Sequence, residues 1–139
     1  MIEFHYETDF KIENENKFVD WLSRVIVSEN FLSRQLDYIF CGDDYLLNLN
    51  QKYLSHDTYT DIITFDYSEG ESLAGDIFIS IDRLIENSEE LEIEFEEELL
   101  RVMCHGILHL IGYKDKSEED SAEMRAKENE KIRMFHVEQ

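Results

Sequence analysis

The chain has 139 residues, of which 42% are hydrophobic and 12% aromatic, and its 33 acidic and 13 basic side chains give a formal net charge of −20. This length predicts one domain over residues 1–139 with one core, and the apolar content excludes an intrinsically disordered chain. The charge repels polyanions at long range, so composition alone argues against binding nucleic acid by general electrostatic attraction.

Targeting segments and disulfides are not expected either. No apolar run is long enough to span a bilayer, and residues 1–10 lack the basic start and apolar core of a secretory signal. We therefore expect a cytoplasmic protein with no membrane partner. In that compartment the two cysteines, Cys41 and Cys104, should be reduced and buried.

Apolar periodicity and capping residues divide the chain into four strands and five helices. In chain order these are strand 2–6, a helix capped by Asn14 or Asn16, strand 36–41, a helix from Asp43 to about Leu54, strand 59–67, a loop at 68–75, strand 76–81, a short helix after Asp82, a helix over 95–112 and a helix from Ser117 to about Phe135. The strand at 76–81 is apolar on both faces, which is typical of a central strand. This order predicts an α/β (α+β) fold in which a small mixed four-stranded sheet packs with about five helices.

Residues 86–98 form an acidic run with eight glutamates and no basic residue. Negative charge is favourable near a helix N-terminus, and charge runs are usually hydrated. We therefore interpret the run as a solvated helix face. A role in binding a cation or a partner is the alternative.

The helix predicted over 95–112 is apolar on nearly every side except for one narrow polar stripe. At about 100° per residue, the residues that share this stripe are Glu98, Arg101, His105 and His109. Histidines four residues apart on a helix lie close enough for both imidazoles to converge on one ion. A metal site on this central helix is therefore predicted.

A third ligand for this site follows the end of the helix. Gly112 comes three residues after His109, where a glycine can end a helix and reverse the chain. The carboxylate of Asp115 can then return towards the two histidines. The sequence predicts one divalent metal ion, with zinc expected, held by His105, His109 and Asp115. Three protein ligands leave an open position, which is typical of a catalytic zinc site.

Two other classes of metalloenzyme have similar ligand patterns. The spacing H-x-x-x-H-x-x-G-x-x-D resembles the metzincin proteases, which place a glutamate directly after the first histidine as the general base. Here that residue is Gly106, which cannot transfer a proton. Two histidines and a carboxylate also bind ferrous iron in oxygenases, although nothing else in the chain indicates an oxygenase co-substrate.

Three motifs lie in order along residues 49–115. They are Leu49-Asn50 with Tyr53, Asp57, Thr60-Asp61 and Phe65, then GDIFIS at 75–80, and then HGILHLIGY at 105–113. Together they resemble the YbeY family of metal-dependent endoribonucleases, the rRNA maturation factors. The resemblance implies that the metal ligands belong to a nuclease.

The resemblance further implies a single-strand-specific endoribonuclease that acts in ribosomal RNA maturation at the small-subunit 3′ end and in ribosome quality control. A water bound to the metal would attack phosphorus, and the ion would stabilise the developing charge. The implied partners are ribosomal RNA and the ribosome or a ribosomal protein, which could deliver the substrate to so acidic a chain. A non-enzymatic ribosome-assembly factor with a structural metal is the main alternative, and a metalloprotease is the third class.

The chain departs from the family pattern at the site. Asp115 replaces the third histidine of the family, and Lys114 replaces the aspartate before it. Leu54 replaces an arginine believed to contact the RNA phosphate, and leucine can neither pair with phosphate nor stabilise negative charge. His56 stands where the family has a lysine. The candidates for a replacement catalytic cation are therefore His56 and Arg101, although Arg101 could instead form an ordinary ion pair with a neighbouring glutamate.

Overall fold

The computed structural model describes residues 1–137 and places nine helices and strands in the predicted order. They are β1 (Ile2–Tyr6), α1 (Glu15–Ser28), β2 (Leu32–Cys41), α2 (Asp43–Leu54), β3 (Ile62–Asp66), β4 (Ser72–Ser80), α3 (Ile81–Leu91), α4 (Phe95–Ile111) and α5 (Glu118–His136). The α/β (α+β) prediction of a four-stranded sheet with five helices is confirmed. The last two residues of the predicted 1–139 domain lie outside the described part of the chain.

The four strands form one mixed sheet in the order β1-β2-β4-β3. β1 and β4 both run parallel to β2, whereas β3 runs antiparallel to β4. β4 is therefore an inner strand, as the apolar stretch at 76–81 predicted. Strand order and direction depend on long-range pairing and could not be read from the sequence.

Three strands begin at residues other than those predicted. β2 and β4 each start four residues early, because their parallel ladder continues from Leu32, paired with Ser72, past a bulge between Ser33 and Gln35. β3 starts at Ile62 instead of residue 59. The polar residues before it leave the sheet and line a cavity beside α4.

α4 lies buried between the sheet and the other helices and is held in place by contacts with β2, β3 and β4. The Tyr38 hydroxyl donates a 2.7 Å hydrogen bond to the backbone oxygen of Met103. At Gly106 the helix lies so close to the sheet that a Cβ atom would stand 3.0 Å from Ile77 Cγ2 and 3.1 Å from Ile62 Cδ1. The glycine after His105 therefore permits close helix–sheet packing.

Both cysteines are free and buried, which confirms the expectation of reduced thiols. Burial raises the pKa of the Cys41 thiol to about 12, so neither a disulfide nor a reactive thiolate is indicated there. Among residues 1–137, no helix combines the length and apolar character needed to cross a membrane.

Candidate metal centre

The three predicted ligands line one cavity of about 530 Å³ between α4, α5 and the residues at the start of β3. His105 and His109 project from successive turns of α4. α4 ends as predicted at Gly112, whose φ of 128° lies in the region that favours glycine. The chain then turns so that Asp115 Oδ2 lies 3.4 Å from His105 Nε2.

The donor atoms of these three residues are not yet arranged around a single point. Within residues 1–137, His105, His109 and Asp115 are not among the groups of three whose ligand atoms lie within 4.8 Å of one another. His109 and Asp115 are exposed, so their side chains can rotate, whereas His105 is fixed by a neighbour. Two imidazole nitrogens and a carboxylate oxygen are donors that suit a divalent ion, and the role of the three residues as ligands stays a prediction.

Glu128 on α5 fixes the orientation of His105. Its Oε2 lies 2.8 Å from His105 Nδ1, and the residue is 5% exposed. Burial opposes ionisation, but the hydrogen bonds with His105 and Arg101 prevail and lower the pKa of Glu128. The same bond to Glu128 raises the pKa of His105 against the opposing effect of burial. A carboxylate bonded to one ring nitrogen of a histidine leaves the other nitrogen available for a metal.

Glu128 is not among the predicted site residues, although one feature of the sequence indicates it. α5 buries apolar residues at helical spacing, and Glu128 lies among them between Met124 and Ile132. A lone glutamate within the apolar stripe of a helix is rarely buried unless it is paired. That feature predicts a buried partner without saying which one.

Arg101 forms the ion pair that was the alternative to a catalytic role. Its Nη1 donates to Glu128 Oε1 at 3.0 Å, and its Nη2 donates to Asn129 Oδ1 at 3.0 Å. The guanidinium therefore balances the charge of Glu128 and holds the carboxylate that orients His105.

The interpretation of 86–98 as a solvated face is wrong at its last residue. Glu98 is 5% exposed and lines the cavity together with Asp61. The residue sits on the inner side of α4 because the polar stripe of this helix faces the cavity and not the solvent. Burial raises the pKa of Glu98, and the negative charge of Asp61 adds to this effect. The Asn87 amide and the positive charges of Arg101 and Arg125 oppose the rise without cancelling it.

Leu54 and His56, two positions at which the chain departs from the family pattern, lie beside the candidate metal centre. Both residues are exposed and line a second cleft of about 430 Å³, to which His109 also contributes. A cation placed at either position would therefore face the space next to a predicted metal ligand. Leu54, at 45% exposure, supplies no charge there.

A different group is the one in residues 1–137 whose donor atoms already have metal-ligand geometry. Donor atoms of Glu3, His5 and Asp37, on β1 and β2, lie within 4.8 Å of one another. His5 Nε2 lies 2.8 Å from Asp37, and the Gln35 amide bonds to both carboxylates at 2.9 and 3.2 Å. These polar atoms satisfy one another without an ion.

Comparisons with known proteins give matches that cover nearly the whole chain. A sequence model described as "Endoribonuclease YbeY" matches residues 2–136. A protein named Endoribonuclease YbeY from Flavobacterium johnsoniae is 57% identical over 139 residues, which cover all of both chains. One of the same name from Flavobacterium psychrophilum is 55% identical and covers all of this chain and 99% of its own. The solution structure of TM1509 from Thermotoga maritima has 30% identity and a TM-score of 0.72, over 97% of this chain and 89% of that one.

Proposed function

This chain belongs to the YbeY family, and we propose that it is a metal-dependent endoribonuclease that cleaves single-stranded RNA during ribosomal RNA maturation. The family and its similar relatives are named as endoribonucleases, which hydrolyse RNA phosphodiester bonds. The structural observation that carries the proposal is His105, whose Nδ1 is held by Glu128 and whose Nε2 faces the cavity beside Asp115.

We further propose that His105, His109 and Asp115 hold the ion and that the ion is zinc. Two imidazole nitrogens and one carboxylate oxygen suit zinc, and three protein ligands keep one position open. When bound, such an ion polarises the phosphodiester and stabilises the negative charge that develops in the transition state.

The surrounding residues orient the proposed ligands. Because Glu128 accepts the Nδ1 proton of His105, the lone pair on Nε2 points into the cavity. Arg101 neutralises the charge of Glu128. Its guanidinium is held in place by hydrogen bonds to both Glu128 and Asn129, which restricts the rotation of the Glu128 carboxylate. Packing at Gly106 fixes the helix that carries both histidines.

Replacing Glu128 with glutamine should weaken zinc binding by about tenfold, because an outer-shell carboxylate typically contributes 10–100-fold to metal affinity. Glutamine keeps the shape but loses the charge that favours the Nδ1–H tautomer. Competition with a chelator of known affinity measures the change. The exposed Glu123→Gln on the same helix is the matched control, and equal affinities in the two folded variants would argue against this role of Glu128.

Replacing Leu54 with arginine should raise cleavage of single-stranded RNA several-fold at low salt and leave the zinc content unchanged. A guanidinium beside His109 can hold a phosphate bidentately, and its advantage should decline as salt screens the charge. Rates at several salt concentrations measure this effect. Val27→Arg adds the same charge on α1, outside the two clefts, and an equal gain in that variant would show that only net charge matters.

A basic ribosomal protein within a ribosomal particle would fit this acidic chain, since a net charge of −20 disfavours free RNA but attracts a cationic surface. We propose that such a particle presents the RNA to the cavity. The test compares free single-stranded RNA with small-subunit precursor particles as substrates. Faster cleavage of the particles than of free RNA, which stops with a chelator and returns with zinc, would support the proposal.

The second candidate is a ribosome-assembly factor whose metal is structural, and the uncharged Leu54 beside the site favours it. Particle binding without cleavage of either substrate would support this alternative. A protease role has less support, because the general-base position is Gly106 and a side chain there would meet Ile77 and Ile62 of the sheet.

A further inference from the structure

Glu98 is a buried carboxylate on the wall of the cavity that lacks a full set of partners. The residue is 5% exposed, and within the described chain its Oε1 is buried without a hydrogen-bond donor. The Asn87 amide approaches Oε2 at 3.5 Å, which is beyond the normal range for a hydrogen bond. Folded proteins rarely leave such a group unpaired, so this carboxylate requires an explanation.

A second carboxylate, Asp61, faces the same space from the residue before β3. Of the cationic groups on the cavity wall, Arg101 and His105 pair with Glu128. The third, Arg125, is exposed and forms an ion pair with neither carboxylate among the described residues. Neither Asp61 nor Glu98 forms an ion pair within residues 1–137. Burial raises the pKa of both carboxyls. The charges of neighbouring cavity residues also contribute to these two pKa values.

We propose that Asp61 and Glu98 form a second cation subsite, which binds a hydrated Mg²⁺ or Mn²⁺ ion together with a phosphate of the RNA. The donors are all oxygens, which these hard cations prefer. Mg²⁺ commonly keeps several waters and takes one or two carboxylates plus substrate phosphates. One divalent ion would also neutralise the charges of the buried Glu98 and the partly buried Asp61.

The size and place of the cavity agree with this occupant. A volume of about 530 Å³ accommodates an ion with its waters and a phosphate, since one water occupies about 30 Å³ in the liquid. The ion would bring positive charge to a substrate cleft where Leu54 supplies none. Its use in cleavage rests on the proposed function, as a second cation beside the one at His105. Its binding does not rest on that function.

Titration of the zinc-loaded protein with Mn²⁺, followed by electron paramagnetic resonance of the free ion, tests the subsite. We expect one saturable Mn²⁺ per chain beyond the zinc. Glu98→Gln and Asp61→Asn should each weaken its binding at least tenfold and leave the zinc content unchanged. Glu97→Gln, an exposed neighbour on α4, is the matched control and should bind as the wild type does. Circular dichroism establishes that each variant is folded.

Several outcomes would overturn the subsite. These are no saturable Mn²⁺ in the wild type, unchanged binding in both folded variants, and an equal loss in Glu97→Gln. Loss of the Mn²⁺ in Asp37→Asn instead would assign the ion to the group on β1 and β2. The subsite and the nuclease function can be rejected independently of each other. RNA cleavage without Mn²⁺ binding rejects only the subsite, and Mn²⁺ binding as expected without RNA cleavage rejects only the nuclease.

Discussion

Replacing His105 with alanine is expected to lower cleavage of single-stranded RNA by about 1,000-fold and to remove the bound zinc. A catalytic metal contributes several kcal/mol to transition-state stabilisation, and about 4 kcal/mol corresponds to three orders of magnitude in rate. The fold should persist, because Arg101 continues to pair with Glu128 after the imidazole is removed. Single-turnover cleavage rates and elemental analysis measure the two effects.

The matched control is His5→Ala, which removes a histidine from the β1–β2 group, whose donor atoms have metal-ligand geometry. This variant should keep both the zinc and the wild-type rate. If His5→Ala lost the zinc while a folded His105→Ala kept it, the proposed ligand set would be wrong.

Replacing Glu29 with glutamine is expected to destabilise the protein by about 3 kcal/mol, the lower end of the cost of breaking a buried ion pair. Glu29 Oε2 lies 2.7 Å from the Nζ of Lys131, which is fully buried, and 3.0 Å from that of Lys127. Lys131 keeps two partners, the Glu130 carboxylate and the Ser28 hydroxyl, so the loss should stay near that lower end. Urea unfolding at neutral pH measures the difference, with the exposed Glu71→Gln as the matched control.

The pH dependence of this difference identifies its origin. Burial opposes ionisation of Glu29, but hydrogen bonds from Lys131, Tyr113 and Lys127 prevail and lower its pKa from 4.5 to about 2. Since the folded pKa lies below the unfolded one, the stabilisation is complete above about pH 5 and is lost as the pH falls towards 2. The gap between wild type and Glu29→Gln should therefore close over that range. A gap that stays constant down to pH 2 would exclude the ion pair as its cause.

The Glu29 network also connects the core to the candidate site. The Tyr113 hydroxyl donates to Glu29 Oε1 at 2.7 Å, and Tyr113 directly follows the glycine that ends α4. This bond anchors the chain two residues before Asp115. A weaker network should therefore loosen the loop that carries the third predicted ligand.

Local patterns in the sequence predicted the features of the site that lie on one helix. The four-residue spacing of His105 and His109 and the helix end at Gly112 depend only on helix geometry. The same is true of the type and order of the nine elements. The beginnings of β2 and β4 were missed because they depend on pairing between strands far apart in sequence.

The partners of the site residues could not be predicted in the same way. Glu128 reaches His105 across 23 residues of sequence, through the packing of α5 on α4. Glu98 looks like the other glutamates of the 86–98 run, and only the orientation of α4 shows that it is buried. Long-range packing therefore decided which charges are solvated and which face the cavity.

Anomalous scattering at the zinc edge, from crystals of the zinc-loaded protein, tests the proposed metal centre most directly. We predict one strong peak at about 2.0–2.2 Å from His105 Nε2, a ring nitrogen of His109 and a carboxylate oxygen of Asp115. A peak at Glu3, His5 and Asp37 with none at His105, or a peak at His105 with Asp115 turned to solvent and another residue bound, would contradict this account.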